Sequence, residues 1–326
     1  MSLTSELSNP HSTVSRFMNA HLPATAQVTA DLRGRLPLRP VTIKPQSAHR
    51  FDYRSLGRAI DRRLRVAFGS PLDEALKAGV LYAPIDVAEA STPAAGAAVR
   101  AVGAALLDEL QTLASAANGF TALERQEEER LARLCFVASH FEEVYRAGLR
   151  PGNPLTNVKP GAILDDLLGE VPSYVPEDIG QQMKLAEAEE ALGWAATLTA
   201  DQRICAPVFS GSLDVKGADA DYILDGRLID CKATIRPDRI GEKKEIHQLA
   251  GYLLLDYEDT YALNRVGLYL ARQGRLLTWT TEEFLRLLGA RRPIPKLRAA
   301  FRKALTNPQP PPPPNPTSTT QTTLFD

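Results

Sequence analysis

The dipeptide Asp225-Gly226, set between Tyr222-Ile223-Leu224 and Leu228-Ile229, constrains this chain more than any other feature. Asp-Gly between two short apolar runs specifies a hairpin with a two-residue turn, because both turn positions need positive φ. The turn fixes a register in which Leu224 faces Arg227, Ile223 faces Leu228 and Tyr222 faces Ile229. Continued outward, the same ladder sets Asp221 opposite Asp230 and Asp219 opposite Lys232. Side chains alternate along a strand, so these four charged residues project from one face and Cys231 from the other.

Two directly opposed carboxylates destabilise a sheet and raise each other's pKa unless a cation lies between them. A hard divalent ion removes the conflict, since Mg²⁺ takes a few carboxylate oxygens and completes its shell with water and substrate phosphate. A neighbouring Lys then orients a water or stabilises developing negative charge. The competing reading is a solvated, Asp-rich hairpin face with no ligand at all.

An Asp on one strand and the triplet Asp230-Cys231-Lys232 on the next resemble the PD-(D/E)xK nuclease superfamily. Gln248-Leu-Ala-Gly-Tyr252, in the helical stretch that follows, matches the Q-xxx-Y signature of its RecB-like branch; a spacing of four puts both side chains on one helix face. The eponymous Pro before the first Asp is replaced by Ala220, and Asp219 competes with Asp221 for the metal role. The resemblance implies an α-β-β-β-α-β core with a mixed central sheet flanked by helices. It also implies a Mg²⁺-dependent DNA nuclease, with Mn²⁺ able to substitute. Asp221 and Asp230 would hold the metal, Lys232 would position the attacking water, and Gln248 and Tyr252 would support the site. Two rivals stay open: a catalytically inactive nucleic-acid-binding or scaffold protein of the same fold, and an RNA-directed nuclease. Exo- or endonucleolytic action and the pathway served, whether repair, recombination or defence against foreign DNA, are not legible.

Around that centre the chain divides into a surface arm (1–45), a helical N-terminal region (46–175), the α/β nuclease core with a basic C-terminal helix (176–305) and a Pro-rich tail (306–326). Residues 1–45 are punctuated by Pro and Thr, with a short helix around Thr13 to His21. In Tyr53 to Phe68, Leu56, Ile60, Leu64 and Phe68 mark an apolar helix face. Arg58, Arg62 and Arg65 lie on the others, where they could follow a phosphate backbone or simply be solvated. Helices are also predicted over Ala98 to Ala117 and Ala122 to Arg146. His140, Glu142 and Glu143 on the second, and Glu187, Glu189 and Glu190 on a helix over Gln181 to Ala196, are candidates for an additional metal-site acid or base. The Pro- and Gly-rich stretch Arg150 to Val175 is the expected boundary of the core.

The core itself is predicted as a strand from about Ile204 to Val215, the hairpin, a helix over Lys243 to Asp256 and a strand over Arg265 to Arg272. A short strand over Leu276 to Trp279 and a helix capped at Thr281 follow. The net charge of −1 allows nucleic-acid contact only through local patches, of which Lys296 and Arg298 in the last basic helix form the second. Cys135, Cys205 and Cys231 are odd in number and widely spaced, and read as buried thiols. The N-terminus lacks the basic region and apolar core of a signal peptide, which implies a cytoplasmic address. In the tail, Gln321, Leu324 and Phe325 resemble the Q-xx-L-F peptide that binds the bacterial sliding clamp, carried on a polyproline-like tether.

Overall fold

A computed structural model describes residues 2–37, 40–46, 51–117, 119–120 and 123–307. The Gln321, Leu324 and Phe325 motif lies outside the described residues. The helices are α1 Leu3–Ser8, α2 Thr13–His21, α3 Thr25–Arg35, α4 Tyr53–Ala67, α5 Glu74–Ala90, α6 Pro93–Ala116, α7 Arg125–Ala147, α8 Leu164–Glu170, α9 Tyr174–Ala186, α10 Lys243–Leu255, α11 Thr281–Leu287 and α12 Ile294–Thr306. The strands are β1 Arg203–Cys205, β2 Tyr222–Leu224, β3 Arg227–Lys232, β4 Arg265–Leu270 and β5 Arg275–Thr280. The protein is α/β, and its described residues form one five-stranded mixed sheet in the order β1-β2-β3-β4-β5. Only β3 and β4 run parallel, and α10 carries the chain between them as a parallel pair requires.

The hairpin register is the one the turn dictates: Leu224 pairs with Arg227, Ile223 with Leu228 and Tyr222 with Ile229. Asp225 and Gly226 adopt φ of 49° and 71°, the two positive values of the mirror-image turn. A Cβ on Gly226 would meet the Asn264 side chain at 2.7 Å, so glycine is demanded twice over.

Strand alternation gives the sheet two apolar faces, and each carries its own core. Tyr222, Leu224, Ile229 and Tyr269 pack against α4 to α9. Ile223, Leu228, Val266, Leu268 and Leu270 pack against the N-terminal helices and α10 to α12. The expected surface arm is therefore an error of the sequence reading: Leu3, Val14, Met18, Val28 and Leu32 are fully buried in the second core. Helices of six to eleven residues give too few turns for a clear period. Ser2 caps α1 and Ser12 caps α2, which marks starts that the Pro and Thr punctuation hid.

The expected boundary at Arg150 to Val175 also fails. Leu155, Leu164, Leu168, Val171 and Tyr174 from that stretch enter the same core as the sheet. Asp178 of α9 and Arg272, just past β4, are joined by two hydrogen bonds of 2.7 and 2.9 Å with both side chains fully buried. The helical region and the strands are thus one body around a shared sheet.

Two element predictions were too long. β1 ends at Cys205 because Ala206 takes a left-handed φ of 49° and Pro207 has no N–H for the ladder; a 3-10 turn over Ser212–Val215 occupies the rest. α9 ends at Ala186, where the Leu192 amide closes back on the Ala186 carbonyl at 3.1 Å. Gly193 permits this fold-back, since a Cβ there would lie 2.1 Å from the Glu187 carbonyl oxygen. The cap of α11 is Thr280, whose hydroxyl accepts from the Glu283 amide, rather than Thr281. All three cysteines are free, but only Cys135 is fully buried. No helix among the described residues is long and apolar enough to cross a membrane.

Candidate functional site

The hairpin's open end and the C-terminal end of β3 form the floor of a cleft of about 550 Å³. Asp219, Asp221, Asp230, Lys232, Gln248 and Tyr252 all line it, so five side chains predicted for one site, and the competing Asp219, do meet. α4 and α7 supply one wall through Arg58, Asp61 and Arg146; α1 and α10 supply the other.

The two expected pairs beyond the hairpin form differently from the extrapolated ladder. β2 begins only at Tyr222, so Asp221 lies before the ladder, and its carbonyl accepts from the Ala206 amide at 3.0 Å. The Asp221 carboxylate accepts from the Cys231 amide at 2.7 Å, which clamps it beside Asp230. Asp219 is not opposite Lys232: its backbone bridges to Val208, and its carboxylate accepts from Arg146 at 2.7 Å. With Asp219 neutralised by Arg146, the carboxylate that faces Asp230 and Lys232 is Asp221.

Lys232 Nζ lies 2.6 Å from an Asp230 carboxylate oxygen. The ammonium is the partner of this buried carboxylate oxygen. Burial opposes the Lys232 charge, yet Asp230 and Asp221 outweigh it and hold the ammonium above its usual range. Burial, then Asp61, then Asp230 push the Asp221 carboxyl well above the usual carboxylate range. A quarter of the Asp221 side chain is still exposed, and it opens into the cleft. A desolvated acid beside a second acid makes a site that favours a cation.

Asp61 is the site residue the sequence reading missed. It accepts from Arg65 at 2.9 Å, and the Tyr222 hydroxyl donates to it. Burial raises its pKa despite both partners. The signal was present: Asp61 is the one acid within α4 and stands four residues before Arg65, but it was submerged in an arginine-rich run. Of the helix acids that were named, Glu142 lines the cleft, held by Arg62 at 3.0 Å and Arg146 at 2.7 Å. His140 is buried beside Phe136, and Glu143 pairs with Arg54 and Arg58. Glu187, Glu189 and Glu190 follow the end of α9, are exposed and do not line the cleft. Among the described residues, no group of three or more His, Cys, Asp or Glu side chains is arranged to hold a metal ion. The candidate ligands are the Asp221 and Asp230 pair, a number that suits Mg²⁺, which keeps most of its waters.

The basic residues divide sharply. Arg54, Arg58, Arg146 and the buried Arg65, 3.9 Å from Asp221, line the cleft, and burial first, then the crowding of Arg58 by Arg54 and Arg146, lowers the Arg58 pKa against the pull of Glu143 and Glu142. Arg62 and Arg65 are not available to DNA. Both are about 98% or more buried, Arg62 on Glu142 and Asp73, Arg65 on Asp61 and Asp73. Periodicity cannot show this, because of their partners only Asp61 lies on α4, whereas Asp73 caps α5 and Glu142 comes from α7. Arg298 is likewise buried, donating to the Leu253 carbonyl at 3.1 Å and to Asp259 at 2.6 Å, whereas Lys296 is exposed. Neither residue lines the cleft.

Gln248 donates to the Tyr252 hydroxyl at 2.7 Å across one helical turn. The Tyr252 ring stacks on Phe209, with centroids 5.8 Å apart, which fixes that hydroxyl at the cleft wall. A larger groove of about 790 Å³ between α7 and α9 is lined by Arg125, Glu128, Glu129, Arg133 and Glu177 among others, and holds none of the residues the sequence points to. No protein-family model, curated protein or solved structure matches this chain.

Proposed function

We propose that the cleft is the active site of a metal-dependent DNA nuclease of the PD-(D/E)xK type, in its RecB-like branch. The observation that carries this is the meeting of Asp221, Asp230, Lys232, Gln248 and Tyr252 on one cleft floor. The element order α9-β1-β2-β3-α10-β4 supports the reading, as do the four arginines, Arg54, Arg58, Arg65 and Arg146, that line the cleft with the acids. Asp221 and Asp230 would hold Mg²⁺, or Mn²⁺ in its place, which supplies charge neutralisation at the scissile phosphate and a lowered pKa for water when bound.

The remaining work falls to the chain's own groups. Lys232, kept charged by the two acids, orients the attacking water through N–H donation and steadies negative charge on the phosphate oxygens. Arg54, the most exposed of the cleft arginines, and Arg58, which shares Glu143 with it, bind the flanking phosphates, while Arg146 keeps its pairs with Asp219 and Glu142. Gln248 holds the Tyr252 hydroxyl in place, so that the cleft wall presents a fixed polar edge.

The test is hydrolysis of linear, circular and single-stranded DNA, and of matched RNA, with Mg²⁺ present. Asp230→Ala is the control. Cleavage by wild type and none by the variant is expected; equal cleavage by both would overturn the assignment. The clamp-binding reading of the tail rests on Gln321, Leu324 and Phe325 alone. A peptide of Thr317 to Asp326 should bind a purified bacterial clamp in the micromolar range, about 8 kcal/mol, and Leu324→Ala with Phe325→Ala should remove binding.

A further inference from the structure

α5 and α6 run antiparallel through the short link Ser91-Thr92, and their register is set by Gly96 and Gly103. A Cβ on Gly96 would lie 2.5 Å from the Pro84 carbonyl oxygen and 2.7 Å from the Ala88 Cβ, and one on Gly103 would lie 2.7 Å from a Val80 methyl group. Leu81 therefore stands level with Ala101 to Gly103, and Ile85 with Ala97 to Val99. Away from both cores, α5 presents Leu81, Tyr82 and Ile85, which are 57%, 47% and 48% exposed. Beside them α6 presents the exposed Ala97, Ala101, Ala104 and Ala105. The outer face of a surface helix is ordinarily charged. Here a bulky apolar ridge runs beside a strip of methyl groups, with a hollow of about 420 Å³ lined by Ile85, Ala88, Gly96 and Ala97 among others. None of these residues lines the acid cleft.

Shape and charge name the occupant. We propose that this face joins two copies of the chain in a four-helix contact, the α5 ridge of each lying on the α6 alanines of the other. A ridge beside a trough is self-complementary about a two-fold axis that runs along the helices, because that rotation sets α5 over the partner's α6 and keeps their levels. The facing helices are antiparallel, and alanine lets them approach closely. At the borders of the strip stand Lys77 and Glu89 on α5 and Arg100 and Asp108 on α6, all exposed. Glu89, Arg100 and Asp108 have no ion pair among the described residues, and Lys77 has the exposed Glu74. The same rotation carries Glu89 towards the partner's Arg100 and Lys77 towards the partner's Asp108, so each border charge meets its opposite. A nucleic acid, or any partner of a single charge sign, would oppose one member of each pair. The contact leaves the cleft of each copy open and does not depend on the nuclease reading.

The experiment is sedimentation equilibrium of the full chain, with circular dichroism as the check of fold. Wild type should form a dimer with a micromolar dissociation constant. Leu81→Asp should weaken it at least about tenfold with an unchanged spectrum, because that side chain is exposed and belongs to neither core. Glu89→Arg and Arg100→Glu should each weaken it about fivefold, more at low salt. The two changes together should restore the dimer, since the reversed charges again meet as opposites, and a merely disturbed fold would not recover in this way. A wild type that stays monomeric up to about 100 µM overturns the proposal, whatever else covers the face. So does a dimer that Leu81→Asp leaves intact, or a double variant that associates no more tightly than its singles.

Discussion

The Cys231 amide donates to the Asp221 carboxylate at 2.7 Å, so a backbone group of β3 holds the acid that precedes β2. This bond replaces the ladder pair that the hairpin would otherwise continue. It fixes one Asp221 oxygen and leaves the other towards the cleft, beside the Asp230 and Lys232 ion pair.

That geometry sets the first prediction. Asp221 has a folded-state pKa above its ordinary value through burial, Asp61 and Asp230. A raised carboxyl binds its proton more tightly in the fold, so it costs stability as pH rises above the unfolded value of about 3.9. Asp221→Asn keeps an oxygen for the Cys231 amide and removes the charge. In chelator, the variant should melt a few degrees higher than wild type at pH 8, about 1 kcal/mol, with the gain gone near pH 4. Mg²⁺ should raise the wild-type melting temperature and leave the variant's unchanged. A variant that melts lower than wild type at every pH would show Asp221 to be a structural anion.

Tyr252→Phe separates the hydroxyl from the ring. The ring is 95% buried on Phe209, so the Phe variant should keep stability within about 1 kcal/mol, whereas Tyr252→Ala should lose about 3 to 5 kcal/mol. On the proposed reading, Tyr252→Phe lowers cleavage about tenfold without abolishing it, because Gln248 loses the partner that positions it. Full activity in both Tyr252→Phe and Gln248→Ala would make the Q-xxx-Y match a coincidence.

Much of the site was legible because it is local. A two-residue turn dictates its own register, and alternation does the rest, so Tyr222 to Ile229 could be paired from the sequence and Asp230 and Lys232 placed together. The Gln248 and Tyr252 pair needed only the helical repeat. What could not be read depends on long-range partners. The α4 arginines look like a solvated face until Asp73, Glu128 and Glu142 arrive from other helices to neutralise them. The N-terminal helices look like an arm because they are short, and only tertiary packing shows that Leu3 lies against Gly251, 2.9 Å from where its Cβ would be. Asp61 was hidden for both reasons at once.

Arg62 and Arg58 lie one helical turn apart on α4 and should behave oppositely. Arg62→Met takes from Glu142 and Asp73 one of the two cations each has, leaving Arg146 and Arg65, and removes a buried charged hydrogen-bond donor; it should cost about 1.5 to 3 kcal/mol in urea unfolding. Arg58→Ala removes a half-buried cation whose acidic partner, Glu143, keeps Arg54 and the Asn153 amide. It should leave the urea midpoint nearly unchanged and weaken DNA binding at all sequences, with the salt slope reduced by about one. If Arg62→Met folds normally and loses DNA binding instead, the burial of that guanidinium is not what holds α4 to α7.

His140 gives the fold an acid-sensitive point away from the cleft. Its ring is buried on α7 against Phe136, and burial lowers its pKa from 6.5 to about 4, with Asp52 and Glu143 opposing and Arg58 assisting. The folded protein therefore keeps this imidazole neutral, while the unfolded chain protonates it near 6.5. For a base with a depressed folded pKa, the unfolded state binds the extra proton, so stability is complete above about pH 6.5 and falls as pH drops towards 4. The slope approaches 1.36 kcal/mol per pH unit in mid-window, with a ceiling of about 3 kcal/mol across it. Asp52, whose own pKa is lowered through its bonds to Ser55 and Arg54 even though burial opposes this, adds its loss below about pH 3.8 and so stays outside the window. Asp221 acts in the opposite direction over part of the same range, so the measurement belongs in the Asp221→Asn background. There, urea midpoints taken at pH 7, 5.5 and 4.5 should fall steadily, and His140→Gln should flatten the curve. Parallel profiles with and without the His140→Gln change would mean that the imidazole is already charged inside the fold.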